Sequence, residues 1–353
     1  MSRAPRPMEK KVATNQKCKM KRGVLAIIII LVIVAAAVGG YLFLNKDSDK
    51  TEPRVPQKTA LINPLTGLEA KNLLDKPLMF STDNDSYLAR PQSSIGKADV
   101  VYEVPIEGGG SRFEMIFYEN LPGKVGPLRS ARPYIVDIAR EYNAILIHNG
   151  WSQDAKMYLE SGVVDYIPGA LNWEYFYRSD DRNIPHNCYT EGDKILKCAK
   201  KKGYTEKSKP EAFEFLQKGD KVEGKDANVI NCDYVETKNQ YIYNKEEKKY
   251  ARYTGGDAFT DKETGKQIKC ANVVFQKVNI KVLDDQGRLA INMTEGGEAT
   301  VFTRGKAISA TWSRDSLDGR TTFKDQNGQT IKLSPGVTFF QVTDYTVKTS
   351  WSK

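Results

Sequence analysis

The chain has 353 residues, 27% of them charged and 40% hydrophobic, with a formal net charge of +9. The charge is not spread evenly. Up to residue 23 the basic side chains Arg3, Arg6, Lys10, Lys11, Lys17, Lys19, Lys21 and Arg22 face Glu9 alone, which leaves only +2 for the other 330 residues. That balance, with lysines and acids interspersed as in KEEKKY at 245–250, excludes a nucleic-acid groove, and the length is enough for two ordinary domains after a leader.

Val24 to Leu44 is an uncharged apolar run. At about 1.5 Å per helical residue it matches the roughly 30 Å hydrocarbon core of a bilayer. The basic leader at 1–23 fixes its orientation by the positive-inside rule. The expectation is a cell-membrane protein with one transmembrane helix at 24–44, a cytoplasmic amino terminus and an extracytoplasmic remainder, the lipid bilayer being its first partner. Ala35-Ala36-Ala37 also fits a signal-peptidase site, but the run continues through Tyr41 to Leu44, longer than a signal core needs. Cys18 precedes the run, whereas a lipobox cysteine follows one. Residues 45–60 are polar and carry Pro53 and Pro56, the composition of a flexible tether.

Residues 61–207 mix strand and helix patterns. PLMFSTDN, ADVVYEVP, RFEMIFYE and AILIHN read as strands. Helices are predicted from Ala131 to Tyr142 with Pro133 near the start, over DAKMYLESG behind a Ser152 cap, and from Thr190 or Asp193 to Lys202. This is the grammar of an α/β or α+β domain with a mixed sheet. Lys209 to Gly219 is expected to be short and partly helical. Residues 225–353 then become a succession of strands parted by turn signals, Asn327-Gly328 being the clearest hairpin. A mainly antiparallel β domain follows, a sandwich or a barrel.

Four cysteines lie in the outer part, Cys188, Cys198, Cys232 and Cys270. They are disulfide candidates in an oxidising compartment, with three possible connectivities; buried free thiols are the alternative. No C-x-x-C spacing exists and there are only two histidines, so no metal and no cofactor are expected. Asp83, Asn84 and Asp85 offer oxygen ligands, yet lack the spacing of a calcium loop and fit an Asx turn better.

Candidate ligand-binding residues concentrate in the first domain. Arg129 and Arg132 flank Ser130 just before a helix start, a combination suited to a carboxylate or phosphate unless internal acids such as Glu103, Glu107 or Glu114 take the guanidinium groups. Arg112 follows the Gly108-Gly109-Gly110 turn. His148 should emerge at the end of a buried strand, where open α/β sheets collect ligands. Arg178, Arg182, His186 and Asn187 crowd one loop; if it folds onto 129–132, histidine and arginines make one cationic pocket. A serine nucleophile with a histidine base and Asp83 or Glu103 as orienter can be drawn, but no G-x-S-x-G, S-x-x-K, H-E-x-x-H or P-loop is present.

NPLTGL at 63–68, ARPQSSIGKADVVYEVPIEGGGSRF at 89–113, KVGPLRSARPYIVDIAREYNAILIHNG at 124–150 and YRSDDRNIPHNCYT at 177–190 resemble the YerB-like family of bacterial extracytoplasmic lipoproteins. The likeness continues through GEATVFTRGKAISATWSRDS at 297–316 and TTFKDQNGQTIKLSPGVTFFQV at 321–342. The resemblance implies a membrane-tethered protein with paired domains of unknown function, and it brings no catalytic residue to transfer. The expected role is an envelope module that binds an anionic glycan, peptide or cell-wall fragment. The alternatives are an envelope-polymer hydrolase or transferase using a histidine acid/base, and a structural partner in a membrane protein complex.

Overall fold

Leu78–Asp83 (β1), Val100–Pro105 (β2) and Ser111–Phe117 (β3) are buried along nearly their whole length, polar residues included, because both faces of their sheet are covered. The computed structural model describes residues 27, 29–41, 60–234 and 237–353. Residues 29–41 are helical, and among the described residues no helix is long and apolar enough to cross a membrane. The expected span at 24–44 is therefore described only in part, and the leader and residues 45–59 lie outside the described residues.

Pro133–Glu141 (α1) starts on its proline, where no N–H is needed, and Ile145–His148 (β4) follows it. Gln153–Glu160 (α2) is capped by Ser152, whose hydroxyl accepts from the Ala155 amide. Then come Tyr166–Pro168 (β5), Phe176–Arg178 (β6), Cys188–Glu191 (β7) and Gly192–Lys201 (α3). Residues 209–219 contain no helix; the segment runs irregularly and bridges Phe215 to Leu333.

The second half supplies Val229–Asp233 (β8), Lys238–Asn244 (β9), Lys249–Thr254 (β10), Lys269–Cys270 (β11), Asn272–Lys277 (β12), Gly297–Thr303 (β13) and Lys306–Ser313 (β14). Thr322–Lys324 (β15), Thr338–Thr343 (β16) and Lys348–Ser352 (β17) follow, besides short strands at Lys225–Asp226, Asp257–Ala258, Ile280–Val282 and Leu289–Ile291. The Asn327-Gly328 turn forms, with Gly328 at φ +76° and its N–H donated to Asp325.

Both halves contribute to one 11-stranded sheet, ten strands of which run in the order β15-β14-β13-β12-β16-β2-β3-β1-β4-β5, while the short strand Lys225–Asp226 pairs with β14. The join is the parallel pair β2–β16, in register from Val100↔Thr338 to Glu103↔Gln341. Most pairs are antiparallel, while β1–β4, β4–β5, β2–β16 and β12–β16 are parallel. A six-stranded antiparallel sheet, in which β10, β9, β8 and β17 are consecutive, packs on one face through Tyr241, Tyr250, Phe339 and Phe275; α1 and α2 cover the other. The second half is thus neither a barrel nor a closed sandwich of its own, and Ala60–Lys353 is one compact unit.

All four outer cysteines are buried free thiols, which corrects the disulfide expectation. Cys232 on β8 and Cys270 on β11 are separated by β9 and β10 in the same sheet. Three strand spacings amount to about 14 Å, twice what a disulfide spans. Cys188 lies in the core, and the Cys198 sulfur points instead to Asn172 Oδ1 at 3.8 Å.

Candidate functional site

The segment 127–131 is wedged between the carboxyl ends of β1 and β4. Asp83 N donates to Pro127 O (2.8 Å) and Arg129 N to Ser81 O (3.0 Å) on one side; Asn149 N donates to Arg129 O and Ala131 N to Gly150 O, both at 2.9 Å, on the other. Two parallel strands are pried apart there, just ahead of the α1 amino terminus, and a crevice opens at the strand ends. It is a cavity of about 540 Å³ lined by residues that include Asp85, Glu107, Arg112, Arg129, Arg132 and His186. A second cavity of about 500 Å³ near Asp99 lacks such chemistry, since Asp99 is already satisfied by the amides of Tyr118 and Glu119 and by Asn63.

The 178–187 loop reaches this crevice because its own polar residues tie it down. Arg182 donates to Ala89 O (2.8 Å), Pro91 O (2.7 Å) and Tyr189 OH (3.1 Å), and Arg178 donates to Asn187 Oδ1 (2.8 Å). His186 is thereby set with Nδ1 2.8 Å from Asp83 Oδ2. Arg178, Arg182 and Asn187 do not line the cavity; they position the loop. His148 does not line it either. Its ring is wholly buried against Trp151 and Tyr166, Nδ1 donates to Gly150 O (2.7 Å), and burial pulls its pKa down to about 4. Of the candidate binding residues, the structure brings together Arg112, Arg129, Ser130, Arg132 and His186.

Charges in the cavity are largely paired. Arg132 forms a bidentate pair with Glu107; burial pushes the Glu107 carboxyl up, but the guanidinium wins and holds it below the ordinary value. Arg129 contacts Asp85 Oδ2 at 2.9 Å and Asp83 Oδ2 at 3.2 Å. Burial raises the Asp83 pKa despite Arg129. Arg112 is different. It is only 2% exposed, donates to the Ser130 carbonyl, leaves Nε without a partner and, among the described residues, has no ion pair. Burial and then the nearby Arg132 lower its pKa. Glu114, two residues along β3, offers little compensation: burial lifts its pKa to about 8 and its Oε2 is also unpartnered.

The contribution of the glycine turn at 107–110 is visible only in three dimensions. Gly108 has φ +79°, and a Cβ on Gly110 would sit 3.0 Å from the Asp85 backbone, so the turn closes tightly over that aspartate. The triple glycine is a signal for such close approach, but the sequence pattern alone assigns it to a plain turn between strands.

A mixed-sheet core that fuses two half-domains, with a charged crevice at its parallel strand ends, defines the class of protein. Residues 65–205 match the family described as "Protein of unknown function (DUF3048) N-terminal domain" and residues 230–340 match its C-terminal domain. The chain is 34% identical over 286 residues to "Putative lipoprotein YerB" of Bacillus subtilis (strain 168), covering 79% of this chain and 85% of that protein. The crystal structure of YerB protein from Bacillus subtilis superposes with a TM-score of 0.75 at 33% identity, over 82% of this chain and 99% of that one. The chain belongs to the YerB-like DUF3048 family, with its paired amino- and carboxyl-terminal domains.

Proposed function

We propose that the protein is an envelope-associated binding module whose cavity between β1, β3 and the 178–187 loop takes an anionic group of a glycan, peptide or cell-wall fragment. The observation that carries this reading is Arg112, a cation removed from water that makes no ion pair among the described residues and stands at the wall of an open cavity. Burying an unpaired charge is costly, and an incoming carboxylate or phosphate offsets that cost. Arg129, Ser130 and Arg132 line the same cavity. Envelope placement draws on the basic leader, on the apolar run at 24–44 as a lipid anchor, and on the description of the Bacillus subtilis relative as a lipoprotein. Binding is favoured over turnover because no nucleophile is hydrogen-bonded to His186 among the described residues, and the Ser130 hydroxyl points to Asn149 O at 3.4 Å.

The test is calorimetric titration of the full chain with a soluble muropeptide and with a glycerol-phosphate oligomer. At least one should bind, and Arg112→Gln should weaken it by about 10- to 100-fold, the value of charge-assisted hydrogen bonds of about 1.5–3 kcal/mol. An identical dissociation constant for wild type and Arg112→Gln would refute the proposal.

A further inference from the structure

The anion reading leaves one group of side chains in the cavity wall unexplained. Asp83, Asp85 and His186 present ligand atoms that all lie within 4.8 Å of one another. His186 Nδ1 is 2.8 Å from Asp83 Oδ2 and 3.7 Å from Asp85 Oδ1. Atoms bound to one first-row cation at about 2.0–2.2 Å stand roughly 2.8–3.6 Å apart, so these separations need only small adjustments. Asp85 Oδ1 adds an independent observation: it is buried and accepts no hydrogen bond, although buried carboxylate oxygens are normally satisfied.

The surroundings hold the three groups in place. Asp83 Oδ1 accepts from the Asp85 amide at 3.2 Å, and Arg129 engages the other Asp85 oxygen at 2.9 Å, orienting both carboxylates while leaving Asp85 Oδ1 free. The histidine comes from about a hundred residues further along the chain, delivered by the loop that Arg182 pins to Ala89 and Pro91. Asp85 and His186 also line the cavity, so one side of the trio stays open to a water or an incoming ligand.

We propose that Asp83, Asp85 and His186 form a binding site for one first-row divalent cation of the zinc or manganese type, with its remaining coordination positions facing the cavity. One imidazole nitrogen with two carboxylates suits such ions, whereas calcium takes six to eight oxygens. Binding through His186 Nδ1 takes the place of its hydrogen bond to Asp83 Oδ2, with the ring N–H carried on Nε2. This goes beyond the anion reading and does not depend on it.

The experiment uses the tag-free full chain in detergent, stripped with EDTA and dialysed. Titration with MnCl2, followed by the electron paramagnetic resonance of free Mn²⁺, and with ZnCl2, followed by calorimetry, should each give one site per chain. Asp85→Asn and His186→Gln should weaken that site at least 30-fold while their metal-free circular dichroism and thermal midpoints stay close to wild type. Absence of saturable binding, or binding that survives both substitutions, would overturn the proposal; Ca²⁺ competing on equal terms would overturn the class of ion. Muropeptide titration of the same metal-free samples separates the two readings, since anion binding without metal binding removes this one and leaves the other standing.

Discussion

Replacing Arg252 by methionine should weaken the whole unit from residue 60 to 353, because Arg252 on β10 is the counter-charge of Glu103 on β2 at the centre of the molecule. Both side chains are completely buried and Arg252 Nη2 lies 2.8 Å from Glu103 Oε2. Glu103 also accepts from Asn84 (3.0 Å), Ser111 (2.8 Å) and Asn239 (3.0 Å), and the guanidinium lies 4.8 Å from the Phe259 ring centroid and 5.1 Å from that of Phe113. Removing one partner of such a pair costs about 3–5 kcal/mol. With an unfolding entropy of about 2.1 cal/mol/K per residue over some 290 residues, the thermal midpoint should fall by about 5–8 °C.

The pH dependence gives the same prediction a sign. Burial pushes the Glu103 carboxyl up, but Arg252 outweighs it and the pKa is lowered, so in wild type this group's contribution is full above the unfolded value of about 4.3 and is lost as pH falls through the folded value. In the variant burial is opposed only by neutral donors and by the charge of Arg90, which makes no ion pair with Glu103, so the folded pKa rises and the penalty grows with pH. The gap between the proteins should therefore be small near pH 4 and largest near pH 7. Urea unfolding followed by tryptophan fluorescence at both pH values, with calorimetry, measures it, and Glu103→Gln added to Arg252→Met should recover a good part of the loss. A variant within about 0.5 kcal/mol of wild type at pH 7, below the cost of any buried unpaired charge, or a wild type that melts in two separate steps, would refute the reasoning.

Glu114→Gln should flatten a second pH dependence of opposite sign. With its folded pKa raised to about 8, native Glu114 costs stability progressively as pH climbs from about 4.5 to 8, so the variant should gain on wild type over that window by an amount on the order of a few kcal/mol, read by denaturant unfolding at pH 5 and pH 8. An unchanged difference between the two pH values would argue that Glu114 is ionised or unfolded-like. The four buried thiols should resist Ellman's reagent in the native protein and react only on unfolding, with no mobility difference between reduced and non-reduced samples; burial holds the Cys188 thiol up at about 11, which adds to steric protection. A bridge between any two of them would contradict four free thiols, and one between Cys232 and Cys270 would contradict their strand spacing.

Local physics made the elements legible. The apolar residues Leu78–Phe80 of β1 and Val100–Tyr102 of β2, Pro133 opening α1, Ser152 capping α2 and the Asn-Gly turn at 327–328 all carry their signals within a few residues, and the family motifs lie in the same stretches. Residue chemistry also singled out Arg112, Arg129, Ser130, Arg132 and His186. Pairing over long sequence separations was not readable: which strand edge β16 would join, which carboxylate each arginine would find, and whether a histidine at a strand end would face the crevice or, like His148, turn into an aromatic pocket. A strand encodes which face is apolar but not which distant partner takes its edge, and a charged side chain encodes no counter-ion. Composition and periodicity thus determined the basic leader, the apolar run and the alternation of strand and helix, while the tertiary fold alone decided that two halves share one sheet and that Arg112 stands unpaired at the wall of a cavity, because both depend on contacts between segments that only the assembled core brings together.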